Sequence, residues 1–275
     1  MKQCTQRGRT MIEMLVAIAI GLMLTVGILS IYAANRQTYR ASSDLQRMQA
    51  AGQLALDRLA YQVRMAGYGQ IVGDFTTVSN PTSFTGNPVW ACSSGFSNPL
   101  DTLDTPACVG GTAAPDALQV RYQVENAAVA GSGESRDCLG FPVPPDSSGL
   151  RTVRNRFYIA NSNGVPTLMC LGNGNPAGLP APLIPNVEDL RVRLRVGDPF
   201  TSATQVANPD GFTDWGRVIG VEVCVVVSSD QTGLTATSGA TVLNGTDCRG
   251  NNLNNTDGRL RRVFTQAVTL RNRIL

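Results

Sequence analysis

The stretch Arg7-Gly8-Arg9-Thr10-Met11-Ile12-Glu13 runs directly into MLVAIAIGLMLTVGILSIYAA, residues 14–34, in which no side chain is charged. A helix over that run is about 30 Å long, enough to cross a bilayer. Glu13 sits at its edge. An ionised carboxylate at a membrane boundary is costly unless something pairs with it. A secretory signal has no use for such a residue. The run also exceeds the roughly 7–15 residues of a signal-peptide apolar core, and no A-x-A site follows it. A plain single-span anchor remains the other reading of this stretch.

Beyond the apolar run the helical pattern continues. No proline occurs before Pro81, and after Asn35 the apolar positions Leu45, Met48, Gly52, Leu56, Leu59 and Val63 recur at three- and four-residue steps. Ala50, Ala51, Ala55 and Ala60 favour helix. Arg40, Asp44, Arg47 and Arg58 fall between the apolar positions, and Gly67 and Gly69 supply stop signals. One helix from Thr10 to Ala66 would be roughly 85 Å long. Its first half is apolar all round and suits lipid or other helices. Its second half has one apolar stripe and suits a globular head.

A basic leader, Gly8, then Thr10-Met11-Ile12-Glu13 and a long apolar helix resemble the class III signal of type IV pilins and pseudopilins. The resemblance implies cleavage by a prepilin peptidase between Gly8 and Arg9. It also implies N-methylation of Arg9 and a role for Glu13 as the glutamate that meets an amino terminus during assembly. Arg9 stands where the family usually has Phe, Met or Leu. The phrase Arg64-Met65-Ala66-Gly67-Tyr68 is similar to the one that closes the long helix in the PilW group of minor pilins. Val187-Glu188-Asp189-Leu190 resembles a phrase shared by PilW-type minor pilins and the J-type minor pseudopilins of type II secretion.

The chain has 275 residues, 43% of them hydrophobic, with a formal charge of +3. Removing Lys2 and Arg7 with a leader brings 23 basic residues to 21 against 20 acidic, or +1. That is no broad electrostatic footprint for nucleic acid. There is no histidine, which removes the commonest general base and metal ligand. Of the seven cysteines, Cys4 lies in the leader. Cys92, Cys108, Cys138, Cys170, Cys224 and Cys248 remain. An even set in an exported head reads as disulfides, and the close pairs of a zinc site are missing. Six cysteines admit fifteen connectivities. Pairing of sequence neighbours, Cys92–Cys108, Cys138–Cys170 and Cys224–Cys248, is the expectation.

Residues 71–115 are rich in Gly, Ser, Thr, Asn and Pro and read as irregular structure, stapled rather than packed. Strand patterns follow at 117–124, 153–160, 165–171, 190–196, 218–227 and 260–270, with Asn161-Ser162-Asn163-Gly164 as a hairpin signal. Residues 218–227 form a nearly continuous apolar run, as expected of a strand buried on both faces. No internal repeat stands out.

No catalytic constellation emerges. Glu188 and Asp189 are adjacent on a strand pattern and should point to opposite faces. Arg191, Arg193 and Arg195 alternate with apolar residues. They lack the interleaved aromatics of a nucleic-acid platform and read as the wet face of an amphipathic strand. The segment 251–258 has a single carboxylate, Asp257, too few for a calcium loop.

The expected class is α+β, a type IV pilin-like fold in which a long N-terminal helix packs on a mostly antiparallel sheet. The expected organisation is a leader at 1–8, a helix at 9–67 with its membrane segment at 14–34, and a disulfide-bonded periplasmic head at 68–275. The resemblance implies a non-enzymatic minor pilin without cofactor or metal, anchored in the inner membrane and then built into a pilus. Its partners would be other minor pilins, the major pilin and the prepilin peptidase, and no nucleic acid. A minor pseudopilin of type II secretion is the alternative within the superfamily. A membrane-anchored periplasmic enzyme or ligand-binding domain is the alternative outside it.

Overall fold

The computed structural model describes residues 10–69, 84–124, 136–146, 150–198, 202–232, 245–253 and 257–273. The α+β class holds. Helix α1 (Met11–Met65) is followed by nine strands. The chain divides into two compact units, Met1–Gln46 and Arg47–Leu275, so the division falls inside α1.

In the second unit the helical stripe predicted from sequence is the buried one. Met48, Ala55, Leu59, Ala60, Val63 and Ala66 are at most 2% exposed. Gly67 takes a left-handed φ of 73°, which ends the helix at little cost for glycine. Its N–H donates to the Arg121 carbonyl. The last carbonyls of the helix, those of Arg64, Met65 and Ala66, accept from Nδ2 of Asn272 in a short 3-10 turn near the end of the chain. The side chain thus satisfies groups that a helix end leaves open.

The strands form two antiparallel sheets rather than the one expected. The first runs in chain order: β1 (Val89–Cys92), β2 (Ala117–Val124), β3 (Arg151–Ser162), β4 (Val165–Gly172) and β5 (Ala181–Pro185). The second has the order β7-β6-β8-β9, from β6 (Val187–Asp198), β7 (Ser202–Val206), β8 (Val218–Ser228) and β9 (Arg261–Thr269). The β3–β4 hairpin turns at Asn163-Gly164, both with positive φ, as a tight right-twisted hairpin requires. One core joins the helix stripe to inner faces of both sheets, including Leu118, Val120 and Phe157 from the first and Leu190, Val192, Val223 and Val225 from the second.

Three strands were missed. β1 lies in the segment read as irregular, yet Val89, Ala91 and Cys92 are fully buried and pair with β2. β5 is bracketed by Pro182 and Pro185, and β7 is short and polar. β8 is buried on both faces over most of its length, as its composition predicts.

Gly52 explains one feature of the stripe. The Phe264 ring lies against its Cα, where a Cβ would collide. Gly52→Leu should therefore destabilise the head by about 1–3 kcal/mol through overpacking. Adding Phe264→Ala should restore part of the loss, read as the thermal midpoint of the detergent-solubilised chain.

Candidate assembly site

Gly8 and Arg9 lie outside the described residues, as does Cys4. The described chain begins at Thr10, whose carbonyl accepts the N–H groups of Glu13 and Met14 as α1 starts. From there every large apolar side chain to Ile31 is more than half exposed, from 51% at Ile18 to 89% at Met11. The mean hydropathy of an 18-residue window is 2.6, with none of it buried. Two hydroxyls fold back on the helix, Thr25 to the Leu22 carbonyl and Ser30 to that of Gly27. The helical backbone and these two hydroxyls are thus satisfied within the helix, as a bilayer demands. Glu13 is the one side chain between Thr10 and Asn35 that is charged at neutral pH. This helix is long and apolar enough to anchor in a membrane, and Glu13 is the one carboxylate near its start.

In the head, arginines bind inward. Arg191 is only 8% exposed. It pairs with Asp116 and donates to the carbonyls of Thr112 (2.9 Å) and Ala114 (2.8 Å). Arg193 bonds Glu222 and the Cys248 carbonyl. Of the row, Arg195 alone is exposed. The reading of a wet arginine face is corrected: the loop before β2 covers that face and uses the guanidinium to bind its own carbonyls. A second correction concerns Glu188 and Asp189. A bulge in β6, between Val187 and Asp189, breaks the two-residue alternation. Both carboxylates then line one cleft with Asp247, Asp257 and Arg261. They are spent on arginines, Glu188 on Arg261 at 2.6 Å and Asp189 on Arg191 and Arg249 at 3.6 and 3.7 Å.

Burial pushes the carboxyls of Asp116 and Asp189 from 3.8 up to about 6, against the opposing pull of Arg191 and backbone amides. A carboxyl whose folded pKa lies above its unfolded value holds its proton more tightly in the folded state. Its contribution favours folding at low pH and is lost as pH rises through about 6. The thermal midpoint should fall between pH 4.5 and 7, by on the order of 2 kcal/mol in stability. Asp189→Asn should flatten the slope. A midpoint that rises over that interval would contradict it.

Three disulfides join Cys92–Cys108, Cys138–Cys170 and Cys224–Cys248, with Cα separations of 5.1, 6.5 and 5.8 Å. Two of them share a device not recognised in the sequence. Asp137 and Asp247 each open a turn in which Oδ1 accepts the N–H groups two and four residues on. In each, the aspartate N–H donates to the carbonyl four residues on, and a glycine, Gly140 or Gly250, takes φ near 85°. The signal was present: Asp137-Cys138-Leu139-Gly140 and Asp247-Cys248-Arg249-Gly250. One clip lies between β2 and β3, the other between β8 and β9, and each cysteine fastens its clip to a strand. The Asp-Cys-x-Gly phrase is thus a four-residue internal repeat.

Two family models match the chain. The prokaryotic N-terminal methylation motif covers residues 4–29. The type IV pilus-assembly protein W model covers residues 156–272, from β3 to the turn that carries Asn272. No curated protein matches the chain. Among solved structures, a type IV-like pilin from Thermus thermophilus aligns with 85% of this chain and 98% of its own, at 17% identity and a TM-score of 0.38. The chain thus carries the N-terminal methylation motif of type IV pilins over its apolar helix and a PilW domain over residues 156–272 of its head.

Proposed function

We propose that the chain is a minor pilin, a structural and non-enzymatic subunit that primes or caps assembly of a type IV pilus. The observation that carries this is the helix over residues 14–34, uncharged and uncovered, with Glu13 just before it as the one charge near its start. Cleavage between Gly8 and Arg9 by a prepilin peptidase would give Arg9 a free amino terminus, open to methylation. Glu13 would then meet such a terminus, its own or a neighbour's. Other minor pilins and the major pilin would pack against the same helix. The subunit would wait in the inner membrane with its head in the periplasm, a compartment that supports the three disulfides, before passing into the fibre.

Deleting the coding sequence tests the pilus reading against type II secretion. Surface pili should be lost or strongly reduced, and restored by the intact chain. Export of folded enzymes by type II secretion should be unchanged. Normal piliation with failed enzyme export would transfer the protein to the pseudopilins.

A further inference from the structure

β9 is the one long strand in the described head that leaves an edge open. At the two ends of its pairing with β8, Leu270 N–H donates to the Ile219 carbonyl and Ser229 N–H to that of Leu260. Backbone groups alternate in direction along an antiparallel strand. Residues 260, 262, 264, 266, 268 and 270 therefore face β8, and Val263, Thr265, Ala267 and Thr269 turn their N–H and C=O groups outward. Among the described residues none of these eight groups has a partner.

The other sheet edges are protected. β5 carries Pro182 and Pro185, while β1 and β7 have only four and five residues. Prolines and short strands are the usual guards against stray pairing. β9 has nine residues and neither proline nor bulge, and from Val263 to Thr269 it carries no charge. Such an edge invites another strand.

Charge selects the occupant. Arg259 and Arg262 stand at one end of the strand and Arg271 at the other. Glu188 and Asp257 neutralise Arg261; Asp257 also attracts Arg259, but among the described residues no carboxylate forms a salt bridge with any of these three. A second copy of the chain fits poorly. The self-pairing that covers the whole strand is centred on Thr265, and it brings the flank that holds Arg271, in the 3-10 turn after β9, to the copy's flank that holds Arg259, just before β9, at both ends. Like charges gathered at both ends of a strand pair repel. We infer that the outer edge of β9 takes an extended segment of a different protein subunit, added as a fifth strand to the β7-β6-β8-β9 sheet. That segment has carboxylates at both ends and no charge between them. The inference concerns the head alone and does not depend on what Glu13 does.

The test uses the full chain in detergent micelles. The probe is a peptide as long as the nine residues of β9, alternating threonine and valine between two terminal glutamates. Binding is read by fluorescence anisotropy, and the edge by amide hydrogen exchange. Exchange at Val263, Thr265, Ala267 and Thr269 should slow on binding, while that at Thr204 on β7 stays the same. A peptide ending in lysines should bind at least about tenfold more weakly, a 1.4 kcal/mol difference. Ala267→Pro should abolish binding without losing a bond to β8. The Arg262→Glu, Arg271→Glu double variant should reverse the peptide preference, and it keeps the test open should the proline variant fail to fold. Equal binding of the two peptides, unchanged exchange along the edge, or a β9-mediated dimer of the chain alone would overturn the inference.

Discussion

Glu13→Ala and Glu13→Gln chains should reach the membrane and fold their heads normally, yet be poorly incorporated with their partners. The helix around Glu13 is apolar and uncovered, so it must end among lipids or other helices. An unpaired charge in that setting costs about 3 kcal/mol on insertion scales. Under the proposed role a neighbouring amino terminus would remove the penalty and so disfavour subunits out of register. Removing the carboxylate favours the isolated helix and erases that discrimination. Glutamine keeps the size and polarity but not the charge, so it should be nearly as defective as alanine. Co-purification of each variant with other minor pilins from membranes, together with pilus yield, measures the effect. Incorporation of both variants at the wild-type level would reduce Glu13 to a tolerated residue at the membrane edge.

Arg156→Met should be the most damaging single change in the head. Arg156 is 1% exposed and sits opposite Gln119 across β2 and β3. Its Nε donates to Gln119 Oε1 at 2.7 Å. Its two terminal nitrogens hold the carbonyls of Pro99, Asp101 and Leu103 and the Asp101 carboxylate. The guanidinium also lies 5.5 Å from the centre of the Phe96 ring. Burial lowers its pKa while Asp101 raises it, so the charge is retained at the expense of solvation. Methionine would fill much of the space but leave three carbonyls and a carboxylate without their donor. Breaking a buried pair in this way costs about 3–5 kcal/mol. Lysine should rescue little, because one ammonium cannot reproduce a planar fork of donors. Denaturant unfolding of the disulfide-intact protein checks this, with Asp101→Asn expected to cost less than Arg156→Met.

The contrast between these two residues shows what the sequence carried. Glu13 stood out because it interrupts an apolar run, a pattern visible without any fold. Arg156 and Arg191 looked like ordinary strand polar residues. Alternation tells which side chains share a face, and the loops that cover the face come from residues some 50 to 80 positions away. The helix stripe and β8 were legible for the same reason as Glu13, since each is a long run of one period. β5 and β7 were not, because prolines and polar residues at sheet edges read as loops. The bulge at Glu188 and Asp189 left no mark in composition. The two Asp-Cys-x-Gly clips did, but their kinship lies in hydrogen bonds that four shared letters do not announce.

The central claim is that Arg7-Gly8-Arg9 is a processing junction ahead of an assembly helix. Intact-mass and N-terminal analysis of the chain, produced together with a prepilin peptidase, tests it most directly. The mature protein should begin at Arg9 and lack Cys4, and Gly8→Val should hold it at full length. A wild-type chain that keeps Met1, or a Gly8→Val chain that is still shortened to Arg9, would contradict the account.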